Sequence, residues 1–209
     1  MSTRSLFVIS ACLFALAMAP GLSAAPPAFS APIAAPPVPA KLTVEAGHEV
    51  FLVGHASGMQ NYVCLPTATG VAWKFVGPQA TLFVNMFRGF QQQIATHFLS
   101  ANPEEAGVAR PTWQHSLDSS QVWGAVKESS DDANFVAPGA IPWLLVRVVG
   151  KAFGPEGGSV LTKTKFIQRV NTSGGVAPAT GCSQASQIGV LALVPYTTDY
   201  FFFRATDRR

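Results

Sequence analysis

Charge is what this chain has least of. Of its 209 residues only 12% are Asp, Glu, Lys or Arg, and no run of Lys or Arg precedes the final pair Arg208 and Arg209. Nucleic-acid binding calls for a clustered basic face. The formal net charge of +3, or +2 once Arg4 leaves with an N-terminal leader, supplies none. Long apolar runs are scarce as well: beyond residue 19 no segment reaches the ~20 residues a membrane-spanning helix needs, so no membrane association is expected after leader removal. Chemistry-bearing motifs are missing too. There is no GxSxG elbow for a hydrolytic serine. His48, His55, His97 and His115 show no HxH or HxxxH pattern and no acid at ligand spacing, so no metal site is expected. GPEGGS (154–159) has the wrong spacing for a dinucleotide turn and no helical segment after it. No cofactor is expected.

What is present begins at the N-terminus. Arg4 and the apolar run LFVISACLFALAMA (6–19), followed by small residues, have the three-part pattern of a secretory signal peptide over 1–24. The predicted location is periplasmic or secreted. The Ala/Pro tract APPAFSAPIAAPPVPA (25–40) follows as an extended linker. A single β-rich domain is predicted over 41–209.

Within that domain, short runs rich in Val, Ile, Thr and aromatics recur every dozen residues or so. They include KLTVEA (41–46), EVFLVGHA (49–56), QNYVCL (60–65), VAWKFV (71–76), ATLFVNMF (80–87), KFIQRV (165–170), IGVLALV (188–194) and YTTDYFFFR (196–204). Gly, Pro, Asn, Ser or Asp bound them, as they bound strands. Separators such as SGM (57–59) and Gly77-Pro78 read as turns. SANPEEAGVA (100–109) holds the one helix start, with Asn102 as cap and Pro103 in the first turn. Eleven or twelve strands with at most short helices predict an all-β fold, an antiparallel β-sandwich or barrel-like single domain.

Three cysteines occur, and Cys12 lies in the leader. An exported chain left with two cysteines most simply pairs them, so Cys64 and Cys182 are expected to form a disulfide. SGGVAPATG (173–181) then serves as the turn that delivers Cys182 to the strand of Cys64, its glycines supplying positive φ. Gln168, Arg169 and Asn171 are expected as scaffolding for that turn.

Candidate ligand-binding residues are His97, Trp113, Asp118 and Trp123. On alternating strands Trp113 with His115 and Trp123 with Gln121 would line one surface, whereas Trp73 and Trp143 are expected in the core. Asp118 suits the turn of LDSSQ (117–121), and Asp199 is expected in solvent or paired with Arg169 or Arg204. Two functions remain open. One is a non-enzymatic exported binding or structural module for a small molecule, glycan or protein, using a strand face or the 100–115 loop. The other is an extracytoplasmic hydrolase or metal-assisted enzyme built on the His97/Asp118 region. Convergence of His97, Asp118 and Trp113 in one concavity favours the enzyme, and their dispersal favours the module.

QNYVC (60–64), PTWQ (111–114), LDSSQVWGAV (117–126), AIPWLLV (140–146), FIQRVNTSGGVAP (166–178) and VPYTTDYFFF (194–203) occur in order. Together they resemble the exported family called domain of unknown function 3455. That resemblance implies export and a β-rich architecture and brings no reaction. The family's Gly-His-aromatic-Ala-Gly-Pro-Thr-Trp run is here interrupted by LSANPEEAGVAR (99–110), between Phe98 and Pro111.

Overall fold

The computed structural model describes residues 33–206. The expected signal peptide over 1–24, its expected cleavage point and the first half of the Ala/Pro tract lie outside the described residues. Eight antiparallel strands follow one another around a closed barrel: β1 (His48–Thr67), β2 (Gly70–Asn85), β3 (Gln91–Asn102), β4 (Val108–His115), β5 (Gln121–Ser130), β6 (Trp143–Ala152), β7 (Thr164–Gly174) and β8 (Leu191–Ala205). β1 closes the ring by pairing with β8 from His48↔Ala205 to Val63↔Leu191. Closure removes every sheet edge. Among the described residues, no helix is long and apolar enough to cross a membrane.

The strands are fewer and longer than the turn residues imply, because several of those residues sit inside strands. EVFLVGHA and QNYVCL are one strand of 20 residues. The SGM separator does not turn: Gly58 lies where a side-chain Cβ would collide with Gln79 and Ala80 of β2, so glycine marks a close approach of backbones. Gly77-Pro78 is likewise no turn. Asn61 pairs with Gly77 and Tyr62 with Phe75, which leaves Val76 as the extra residue of a bulge, and a bulge tolerates proline within a sheet. Further register shifts occur in β3, β5, β7 and β8 pairings. Such bulges bend strands into a barrel.

KLTVEA is not a strand. Ala40–Leu42 forms a 3₁₀ turn, and Leu42 is fully buried. The segment before it has no regular structure, yet Ala35 and Val38 pack with Leu42 over β6, β7 and β8. Gln168 Nε2 donates to Leu42 O at 2.7 Å, tying this strap to the barrel wall. Asn102 caps the 3₁₀ turn Pro103–Glu105 as expected, its Oδ1 accepting from Glu104 N at 3.1 Å.

The strap gives the molecule two apolar cores. The barrel interior holds Leu82, Trp113, Val122, Val146, Ile167, Tyr200 and Phe202. The outer core, beneath the strap, holds Trp143, Leu145, Phe166, Val170, Phe201 and Phe203. Successive residues of a strand face opposite sides, so the continuous run Tyr200 to Phe203 is apolar because both sides are covered. Inside, Gly54, Ala56 and Ala80 leave the width that Trp113, Tyr200 and Phe202 occupy, an alternation of small and large residues that fills a narrow barrel.

Candidate functional site

The connections β1–β2, β3–β4, β5–β6 and β7–β8 lie at one end of the barrel, as consecutive antiparallel order requires. The last of these is held by the disulfide Cys64–Cys182, with Cα atoms 5.5 Å apart. Gly174 and Gly175 take φ of 67° and 85°, and Gly181 takes 86°, so the turn works through left-handed glycines. Tyr62 OH donates to Gly175 O at 2.7 Å, and Trp73 Nε1 donates to Thr180 O at 3.2 Å. The stretch after β7 is thus pinned to β1 and β2 by one covalent and two polar ties. Trp73 is half-buried against it rather than in the core, whereas Trp143 is buried.

Beneath that end the interior opens into a cavity of about 260 Å³. Its polar and aromatic lining is Gln60, Tyr62, Phe75, His97, Trp113, Arg169 and Tyr200; aliphatic side chains and three prolines form the other walls. The rungs of the sheet assemble these groups. Arg169 of β7 pairs with Leu144 of β6 and Tyr200 of β8, and His97 of β3 pairs with Trp113 of β4. Paired residues share a face, so all five point inward.

The rings of His97 and Trp113 stack at 4.2 Å with 13° between their planes, and Tyr200 meets both edge-on at 5.1 and 5.5 Å. His97 Nδ1 donates to Thr112 O at 2.8 Å, which leaves Nε2 as a lone-pair acceptor. Burial, together with the positive charge of Arg169 and against the Thr112 hydrogen bond, lowers the His97 pKa to about 3, so the ring is neutral. Burial raises the Tyr200 and Tyr62 phenols, with Arg169 opposing, and both stay protonated. Tyr196 is raised in the same way, first by burial and then by the neighbouring Tyr200. The Tyr196 and Tyr200 hydroxyls are adjacent and Arg169 faces Tyr200, but neither hydroxyl attains hydrogen-bond geometry. Gln60 Nε2 and Trp113 Nε1 are also buried without a partner among the described residues. The cavity is therefore an apolar chamber, and these unpaired atoms are packed behind its walls without accessible surface.

The four candidate ligand-binding residues part company. His97 and Trp113 form the aromatic wall of this cavity. Trp123 does not line it: the register pairs Trp113 with Val122 and Thr112 with Trp123, so the two tryptophans face opposite sides of the sheet and share no surface. Trp123 is 4% exposed and donates from Nε1 to Ser100 Oγ at 2.9 Å. Asp118 lies in the β4–β5 turn, at the other end of the barrel. Its carboxylate accepts from Val160 N at 2.8 Å, Ser120 Oγ at 2.7 Å and Ser120 N at 3.0 Å, with His115 Nδ1 at 2.9 Å. Burial alone would raise its pKa; these hydrogen bonds and His115 outweigh that and hold it well below the usual carboxylate range. Asp118 staples two loops. His97 and Asp118 share no concavity.

Asp199 pairs with neither arginine. His55 Nδ1 lies 2.6 Å from its Oδ1, and Asn171 Nδ2 donates to Oδ2 at 2.8 Å, on the outside of the barrel. Arg204 is engaged by Glu49 at 2.7 Å. Arg169 donates from Nε and Nη2 to Pro142 O at 3.2 and 2.8 Å. It lines the cavity with Gln60, Tyr62 and Tyr200, none of which the sequence singled out as site residues. No signal in the sequence marked Arg169, because its period-two neighbours Lys165, Ile167 and Asn171 are themselves mixed in character. The 100–115 loop is a tied hairpin, with Arg110 gripping Glu105 at 2.8 and 2.7 Å. Among the described residues, no group of three or more His, Cys, Asp or Glu side chains is placed to hold a metal ion.

A family model described as "Protein of unknown function (DUF3455)" matches residues 45–204. No curated protein matches the chain, and no solved structure does.

Proposed function

The chain belongs to the DUF3455 family of proteins of unknown function, and from that premise we propose that it is an exported, non-enzymatic module that binds a small molecule inside its barrel. The carrying observation is the cavity: an apolar chamber at one barrel end, walled by His97, Trp113 and Tyr200, with Arg169 in its lining. Apolar and aromatic walls with a few polar groups are what small-molecule sites present, and a ring or chain packs against such walls. At about 260 Å³ the chamber exceeds the ~150 Å³ that accommodates a benzene ring and falls below the ~300–1,000 Å³ of drug-sized sites. One substituted ring, or a chain of similar bulk, fits.

Export is supported by the leader pattern and by a disulfide, which persists in oxidising compartments. A free barrel, rather than one in lipid, is supported by the apolar interior and by ion pairs such as Glu49–Arg204 and Glu45–Lys127 on the outer surface. A membrane barrel carries its apolar band outside. The enzymatic alternative loses its support because His97 and Asp118 share no concavity, and Asp118 is consumed by four hydrogen-bonding contacts.

The test is nuclear magnetic resonance of the mature protein titrated with one-ring probes, both neutral (benzyl alcohol) and charged (benzoate). A saturable shift of the Trp113 indole N–H is expected, with the Trp123 indole unmoved. Val146→Phe, which fills the chamber, abolishes the shift. Failure of every one-ring probe to move Trp113 refutes the cavity as a binding site.

A further inference from the structure

Three arginines of the barrel wall are half-buried, and two of them hold a carboxylate: Arg110 grips Glu105, and Arg204 grips Glu49, each at 2.7 Å. The third, Arg169, has no Asp or Glu within 4.0 Å among the described residues, although it lines the chamber. Its Nε and Nη2 hydrogen bonds to Pro142 O lock the guanidinium in place and leave Nη1 uncommitted. A guanidinium presents five donors and cannot be deprotonated in a protein. No neighbouring group neutralises it, for the surrounding Tyr62, His97, Tyr196 and Tyr200 are all uncharged.

From this arrangement we infer that the chamber selects a small organic monoanion, a ring or short apolar body bearing one carboxylate, with the carboxylate on Arg169 and the body against His97, Trp113 and Tyr200. This rests on the reading of the chamber as a binding site and adds the ligand's charge. Charge-assisted hydrogen bonds to a carboxylate are about twice as strong as neutral ones. An anion here also supplies the counter-charge that a half-buried cation lacks. The apolar remainder of the lining gives the body its place and leaves no room for a second charged group.

The experiment compares three probes of one shape, benzoate, benzamide and benzylammonium, by calorimetry and by the Trp113 indole shift. Benzoate is expected to bind at least about tenfold more tightly than benzamide, with no detectable binding of benzylammonium. Arg169→Met is expected to erase the benzoate preference while leaving benzamide affinity within about twofold. Should that variant fail to fold, the wild-type comparison of benzoate with benzamide still decides. Equal affinity for the two, or a preference for benzylammonium, overturns the anion inference and leaves the chamber a binding site. Binding of none of the three overturns both.

Discussion

Removing the Cys64–Cys182 bridge by Cys64→Ser with Cys182→Ser tests how the β7–β8 connection is held. The two residues are 118 positions apart. In the chain-entropy model a loop of that length withdraws about 16 cal/mol/K from the unfolded ensemble, or about 5 kcal/mol at 25 °C. That figure is a ceiling, because residual structure in the unfolded chain already restricts the loop; a loss of about 2–5 kcal/mol is expected. For a domain of this size each kcal/mol displaces Tm by about 2–4 °C, so the double variant is expected to melt roughly 5–20 °C lower. The folded state keeps its local ties: Cys64 N still donates to Val190 O and Gly189 N to Cys64 O, both at 2.9 Å. Barrel circular dichroism should therefore remain unchanged at 20 °C. Thermal and urea denaturation of the variant beside the non-reduced parent provide the measurement. A Tm within about 2 °C of the parent refutes the claim that this bridge stabilises the fold by restraining the unfolded chain.

Three further outcomes are expected. Leu42→Ala, which hollows the outer core under the strap, should cost about 2–5 kcal/mol in urea denaturation, and a loss below 1 kcal/mol would show that the strap is dispensable. His97 sets a pH dependence: from its ordinary value near 6.5 down to about 3, the unfolded chain takes up a proton that the folded chain refuses. Stability is thus complete above pH 6.5 and falls with acidification, by about 2 kcal/mol between pH 7 and pH 5; His97→Phe should flatten this component, and an unchanged slope would contradict the buried neutral ring. Asp118→Asn leaves at least one of the Val160, Ser120 and His115 donors unpaired and should destabilise by about 1–3 kcal/mol without altering benzoate affinity; a lost affinity would place Asp118 in the binding site after all.

Local chemistry was legible in the residues themselves. Alternating β-branched and aromatic runs specify most of the strands, KLTVEA excepted, since the pleat rests largely on its own side chains. The glycines of SGGVAPATG adopt positive φ and Asn102 caps Pro103–Glu105 for reasons contained within a few bonds. The partnership of Cys64 and Cys182 follows from there being no other cysteine beyond Cys12.

What stayed hidden depends on neighbours distant in the chain. Gly58 and Gly77-Pro78 look like turns in isolation, and only pairing with β2 and β1 reveals a close approach and a bulge. A period of two separates two faces but does not say which is inside. With a strap covering the outer wall, Tyr200 to Phe203 show no alternation at all. Trp113 and Trp123 fall on opposite faces because of a register that neither strand states alone. The chamber is the extreme case. Gln60, His97, Trp113, Arg169 and Tyr200 come from five strands and meet only because the barrel closes, with a shear set by bulges spread over the whole sheet. Closure brings Arg169 into an apolar interior without a carboxylate, while Asp118 sits in the β4–β5 turn outside that cavity. The sequence determined the strands, the caps and the bridge through short-range sterics. The tertiary structure alone decided which side chains share a cavity, because ring closure and register are properties of all eight strands together.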